Sequence, residues 1–236
     1  MKVVINAGSI GTAVAAEVAH VNAPQLQPSA AEAIRTLLLA ANPLATTRLR
    51  LDEEVRSIDQ AIQRGRHRDR FELATQWALR IDELHSHLLR YRPEIVHFSG
   101  HGEAGALVLE DAHGDTRLLE ASDLGRLVEL IGKTIRCVVL SACFTQAQAE
   151  ALADHVPCVV GTSGAIPDSA AIVFSGAFYE AIAHGEDVRT AFELGSQRIN
   201  ASGVSDRPRD VVTPTKMEAV APILLGNADP RTIRFC

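Results

Sequence analysis

The segment Ile135–Ala142 (Ile-Arg-Cys-Val-Val-Leu-Ser-Ala) constrains the fold more than any other stretch of the chain. It is short, rich in β-branched residues and almost continuously apolar. A strand with one wet face alternates apolar and polar residues, whereas a strand covered on both faces does not need to. Ile34–Ala41 (IRTLLLAA), which ends at Asn42-Pro43, and Glu94–Ser99 (EIVHFS) have the same character, and Cys158–Thr162 adds a further strand. Strands of this kind belong to a mostly parallel sheet with helices on each side.

The intervening segments supply the helices. In Leu51–Arg66, Leu51, Val55, Ile58 and Ile62 recur at three-to-four spacing, the stripe of an amphipathic helix. Asp52, Glu53 and Glu54 favour its N-terminus through the helix dipole. Asp82–Arg92, Ala121–Gly132 with Ser122 as cap, Gln146–His155, Asp168–His184 and Asp187–Asn200 also read as helices. Phe71–Leu79 and Pro222–Leu225 are candidate strands. Leu107–Glu110 and Thr116–Leu119 flank Asp111-Ala112-His113-Gly114-Asp115 and form an expected hairpin, its turn shaped by Asp111 and Asp115. The predicted architecture is α/β, with a parallel sheet between two helical layers. Residues 1–30, rich in Ala, Val and Gly and marked by Pro24 and Pro28, read as an arm or linker, leaving 31–236 as the folded domain. Gly8 and Gly11 follow Val3-Val4-Ile5, but their spacing does not make a dinucleotide loop.

The totals narrow the function. With 47% hydrophobic and 22% charged residues, the chain can build a globular core. Its net charge of −6, from 23 basic and 29 acidic residues, gives no footprint for nucleic acid. No run of about 20 apolar residues would span a membrane. The four cysteines (Cys137, Cys143, Cys158 and Cys236) form no C-x-x-C pair, and no metal-ligand spacing accompanies them. A reducing cytoplasm is therefore expected, with neither metal nor cofactor.

Reactive groups in open parallel sheets gather beyond the carboxyl ends of the strands. Two strands end in turns that carry chemistry: Val96-His97-Phe98-Ser99-Gly100-His101-Gly102 and Val138-Val139-Leu140-Ser141-Ala142-Cys143. Cys143 falls where backbone N–H groups favour a thiolate, although a cysteine at a strand end also packs as a small buried hydrophobe. His101, between two glycines that permit close backbone approach, is a candidate general base. His97, inside the strand, reads as a core histidine.

Together, strand-Gly-His-Gly and strand-Ala-Cys resemble the CHAT domain family, prokaryotic relatives of separase within the caspase-like cysteine peptidases. The resemblance extends to LLLAANPLATTRLRLDEEV at 37–55, GALVLED at 105–111 and VVGTSGAIPDSAAIVFSGAFYEAI at 159–182, and so covers about residues 34–225. It implies a caspase-like three-layer sandwich and a cysteine endopeptidase acting through Cys143 and His101, with an oxyanion held by the N–H groups of Gly102 and Cys143. It also implies a protein or peptide substrate, an upstream sensor or inhibitory partner, and a place in a prokaryotic defence or cell-death system. A catalytically silent, protein-binding CHAT module is the alternative. Many relatives carry Asn or Asp two residues before the cysteine, where this chain has Ser141, and its loop after Gly161 holds no aromatic residue. Asp168 is the candidate floor of a pocket for a basic P1 residue, and reads equally as a helix cap.

Overall fold

The computed structural model describes residues 33–203 and 222–236, and the arm expected over 1–30 lies outside them. The apolar runs form the strands that their pattern requires. Strands β1 (Ile34–Ala40), β2 (Phe71–Gln76), β3 (Ile95–Ser99), β7 (Cys137–Ser141), β8 (Cys158–Thr162) and β9 (Pro222–Leu225) make one six-stranded sheet, in the order β2-β1-β3-β7-β8-β9. All neighbours run parallel except β9, which pairs antiparallel with β8.

Alternate residues of these strands feed two separate cores. Leu37, Leu39, Val96, Phe98, Val138 and Leu140 pack with Leu84 and Leu88 of α2 (Leu84–Tyr91), Leu124 and Val128 of α3 (Ala121–Ile131), and Leu152 of α4 (Gln146–Ala153). On the opposite face, Ile34, Leu38, Ile95, Val139 and Val160 pack with Ile58 and Ile62 of α1 (Leu51–Arg64), Phe178 and Ile182 of α5 (Asp168–His184), and Val188 of α6 (Val188–Ala201). Each fully covered side chain of this kind contributes roughly 1.5–3 kcal/mol of burial, so neither helical layer can leave without exposing the sheet.

The hairpin expected after the Gly-His-Gly turn has an additional strand. Strands β4 (His101–Glu103), β5 (Ala106–Glu110) and β6 (Thr116–Glu120) form a small antiparallel sheet. His101 therefore begins a strand, where the sequence suggested only a turn; three residues, one of them glycine, are too few for an alternating pattern to show. The Asp111 carboxylate accepts from the N–H groups of His113 and Asp115, at 2.8 and 3.1 Å, and shapes the turn as expected. Two caps differ from expectation. Helix α3 starts at Ala121 with Glu120 at its N-cap and no side-chain cap, so Ser122 lies inside it. Helix α5 has Pro167 at its N-cap, which makes Asp168 its first helical residue. Among the described residues, no helix is long and apolar enough to cross a membrane.

Because β2 lies on one side of β1 and β3 on the other, the connections leaving β1 and β3 diverge. That opens a crevice at the carboxyl edge of the sheet. The loops after β1, β3, β7 and β8 all emerge there.

Candidate active site

His101 and Cys143, 42 positions apart in sequence, line one narrow cleft at this edge, together with Leu49, Glu54, Ile166 and Asp168. Gly102 is what lets their two backbones meet. A Cβ at that position would stand 3.2 Å from the Ala142 Cβ and collide with the Cys143 carbonyl oxygen. Gly100 is similarly constrained, since a Cβ there would lie 2.7 Å from the Ala41 carbonyl oxygen. The Gly-His-Gly sequence thus follows from close backbone packing on both sides of the imidazole.

The loop after β1 orients the His101 ring. Its Nε2 lies 2.7 Å from the Thr47 carbonyl oxygen. A carbonyl can only accept, so in the neutral ring Nε2 carries the proton and Nδ1 keeps the free lone pair. The tautomer suited to a general base is set without a third side chain.

Cys143 stands at a sharp bend. Phe144, immediately after it, has φ +52°, a left-handed conformation that is costly for a bulky residue and persists only where its surroundings hold it. Here they do: the Phe144 N–H donates to the Gly164 carbonyl at 3.0 Å. Thr162 Oγ1 donates to the Ala142 carbonyl at 2.6 Å, and the Thr162 N–H donates to Thr145 Oγ1 at 2.8 Å. The half-buried thiol points its proton at the Ile166 carbonyl, 3.8 Å away. Among the described residues, no backbone carbonyl accepts from the Cys143 N–H. By contrast, Cys137 and Cys158 are buried register partners on β7 and β8. Burial pushes both thiols up, that of Cys158 to about 11.

Asp168 lies on the cleft wall with its carboxylate engaged. The Arg50 Nε and N–H donate to it at 3.1 and 3.3 Å. That pairing joins residues 118 positions apart, and the sequence gives no sign of it.

Glu54 has a place that the dipole reading does not show. It stands in the first turn of α1, as expected, and is also buried at the floor of the cleft, with its side chain 3% exposed. Its Oε1 accepts from Ser141 Oγ and Ser175 Oγ, both at 2.7 Å, and Oε2 accepts from Ser99 Oγ. His97, buried as expected, places Nε2 3.3 Å from Oε1, off the line of a hydrogen bond, and Nδ1 3.3 Å from the Tyr179 hydroxyl. Burial alone would push the Glu54 carboxyl up. The His97 ring and the Ser99 and Ser175 hydroxyls outweigh it and hold the group below the usual glutamate value. The signal was present in the sequence: Glu54 is three residues after Leu51 and four before Ile58, on the buried stripe of α1. Among the described residues, no group of three or more His, Cys, Asp or Glu is arranged to hold a metal ion.

The chain is similar to known proteins in sequence and in fold. A family model described as CHAT domain matches residues 9–210. A probable protease of Gillisia limnaea is 25% identical over 152 residues, which cover 63% of this chain and 27% of that protein. A Roc-COR-CHAT protease of an unknown prokaryotic organism is 25% identical over 173 residues, 70% of this chain and 16% of that protein. The chain thus spans about a quarter and a sixth of the lengths of these two relatives. In three dimensions it is similar to caspase-1 from Spodoptera frugiperda, with a TM-score of 0.53 at 10% identity over 83% of this chain and 87% of that one. The fold is caspase-like.

Proposed function

We propose, from the premise that the chain belongs to the CHAT domain family, that it is a cysteine endopeptidase with Cys143 as nucleophile and His101 as general base. One observation carries the reading: the Thr47 carbonyl occupies Nε2 of His101, so the basic Nδ1 is free in the same cleft as the Cys143 thiol.

His101 Nδ1 takes the thiol proton, and the thiolate attacks the carbonyl carbon of the scissile peptide. The N–H groups of Gly102 and Cys143 donate to the resulting oxyanion, each lowering the barrier by roughly 3–4 kcal/mol. The C–N bond then breaks, and the amine leaves with the proton held by His101. A thioester to Cys143 remains. Water, deprotonated by His101, attacks the thioester, releasing the acid and restoring the thiol.

The proposed P1 residue is basic, with Asp168 as its anionic partner. Support comes from Arg50, whose guanidinium already sits on that carboxylate at the cleft wall. A substrate arginine or lysine would take its place. On family grounds we further propose that the peptidase is an effector in a prokaryotic defence or cell-death system, acting on a protein substrate once an upstream sensor or inhibitor releases it.

Incubation of purified protein with a cellular extract, followed by mass-spectrometric mapping of new termini, tests the assignment. Wild type is expected to cut after Arg or Lys; Cys143→Ala and His101→Ala are expected to cut nothing; Asp168→Asn is expected to lose the basic preference. Undiminished cleavage by Cys143→Ala or His101→Ala would refute the dyad.

A further inference from the structure

The two reactive residues share a local arrangement. Each follows a serine by two positions: Ser99-Gly100-His101 at the end of β3 and Ser141-Ala142-Cys143 at the end of β7. The serines are register partners on adjacent strands, and the Gly100 N–H donates to the Ser141 carbonyl at 3.2 Å. Both hydroxyls donate to a single carboxylate, that of Glu54. A third serine, Ser175 of α5, donates to it as well.

We propose that Glu54 is a positioning residue for the Cys143–His101 pair, clamping the ends of the two strands that carry them. The proposal rests on the reading that these two residues perform the chemistry, and adds to it a residue on neither strand.

Stability alone is a poor explanation for a glutamate here. Its neighbours on the buried stripe of α1 are Leu51, Ile58, Ala61 and Ile62. A buried carboxylate with its partners is often no more stabilising than a well-packed apolar residue of similar volume. What the carboxylate supplies is direction. Its two oxygens fix the side chains of Ser99 and Ser141 at once, one on each strand end. The turns that follow, which carry the imidazole and the thiol, then start from a fixed separation. Ser175 ties the same point to α5, whose first residue is Asp168, so the floor and wall of the cleft share one anchor. Reacting groups held to within fractions of an ångström gain the most from such an anchor, since a displacement of about 1 Å can cost on the order of 100-fold in rate.

The experiment compares the wild-type chain with Glu54→Gln, which keeps the length and removes the charge, and with Ser99→Ala and Ser141→Ala, which each remove one arm. Two readouts are taken at a temperature where circular dichroism shows each variant folded: the rate of Cys143 alkylation by iodoacetamide across pH 5–9, and kcat and KM for peptide cleavage. Glu54→Gln is expected to lower the alkylation rate at neutral pH and kcat together, by roughly 10- to 100-fold, with KM within about twofold. Each serine variant is expected to fall between it and wild type. Alkylation and kcat within about twofold of wild type in a folded Glu54→Gln protein would overturn the proposal. So would a raised KM at unchanged kcat, which would make Glu54 a substrate contact. If Glu54→Gln does not fold, the serine variants decide: a several-fold loss in alkylation supports the clamp, and no change in either overturns it. If wild type alkylates in a His101-dependent way yet cleaves nothing, the peptidase reading fails, while the alkylation arm still tests Glu54.

Discussion

Adding one methyl group at Gly102 tests how closely the two reactive turns must approach. The Cβ of Gly102→Ala would stand 3.2 Å from the Ala142 Cβ and 3.3 Å from the Cys143 carbonyl carbon, and closer still to the carbonyl oxygen. The overlap with that oxygen is about 1 Å inside an ordinary carbon–oxygen contact, and backbone atoms cannot swing aside as a side-chain tip does. Either β4 or the turn after β7 must move. Overpacking of this kind costs about 1–3 kcal/mol, and in a domain of this size each kcal/mol lowers Tm by roughly 2–4 °C. The expected fall is therefore about 2–12 °C. The chemical loss is larger in proportion: an opening of about 1 Å between imidazole and thiol is expected to slow Cys143 alkylation and peptide cleavage by on the order of 100-fold. Differential scanning calorimetry and iodoacetamide kinetics measure the two effects. A Gly102→Ala protein with wild-type Tm and wild-type alkylation rate would refute the claim that the backbones of residues 102 and 143 are in contact.

Two further outcomes can be checked without a substrate. Asp187 caps α6, accepting from the Thr190 N–H at 2.9 Å, and pairs with Arg234 at 3.1 Å. Asp187→Ala should cost about 1 kcal/mol at neutral pH. Burial, the largest single influence, pushes its carboxyl up, but the Thr190 hydrogen bonds and Arg234 together outweigh it and leave the group below the usual aspartate value. Its contribution is therefore complete above the unfolded-state value near 4 and is lost as pH falls through the lower folded-state value. Urea titrations should show the wild-type advantage shrinking only below about pH 4, and an advantage that disappears by pH 6 would refute this. Iodoacetamide should modify Cys143 ahead of Cys137 and Cys158 in the native protein at pH 8. With its thiol near 11, Cys158 offers only about one thiolate in a thousand at that pH, and Cys137 is also held up by burial. Peptide mapping that finds rapid labelling of Cys137 or Cys158 would contradict the burial of β7 and β8.

The strands were legible in the sequence because burial on both faces leaves a signature in residue type. Ile135–Ala142 and Ile34–Ala41 could pack only in such a sheet, and both form central strands. The positions of Gly-His-Gly and Ala-Cys just beyond strand ends were legible for the same reason, and both turns do line one cleft, although Ala-Cys alone reads as readily as a buried thiol. What could not be read was whatever depends on main-chain atoms or on long separations in sequence. The Thr47 contact to His101 is made by a carbonyl, which every residue has. The Arg50–Asp168 pair depends on how the loops after β1 and β8 converge. The burial of Glu54 is masked for a different reason. Three consecutive acids at a helix start are accounted for by the dipole, so the place of one of them in the apolar spacing of Leu51 and Ile58 does not stand out.

His101 belongs to the small antiparallel sheet, and Cys143 to the end of the large parallel one. They face each other across a seam formed by the Gly102–Cys143 backbone contact and by Gln148 Nε2 of α4, which donates to the Glu103 carbonyl at 3.2 Å. The small sheet is also rooted in the core, where Leu107 and Leu109 of β5 and Leu119 of β6 are buried beside Leu39, Phe98 and Leu140, and β5 is tied to Leu79 by the Glu110 N–H. Elements that open on their own are those with few buried apolar contacts, and this sheet has many. His101 is therefore expected to part from Cys143 only when that hydrophobic layer itself opens, so that hydrogen exchange of the β5 amides reports on the integrity of the cleft.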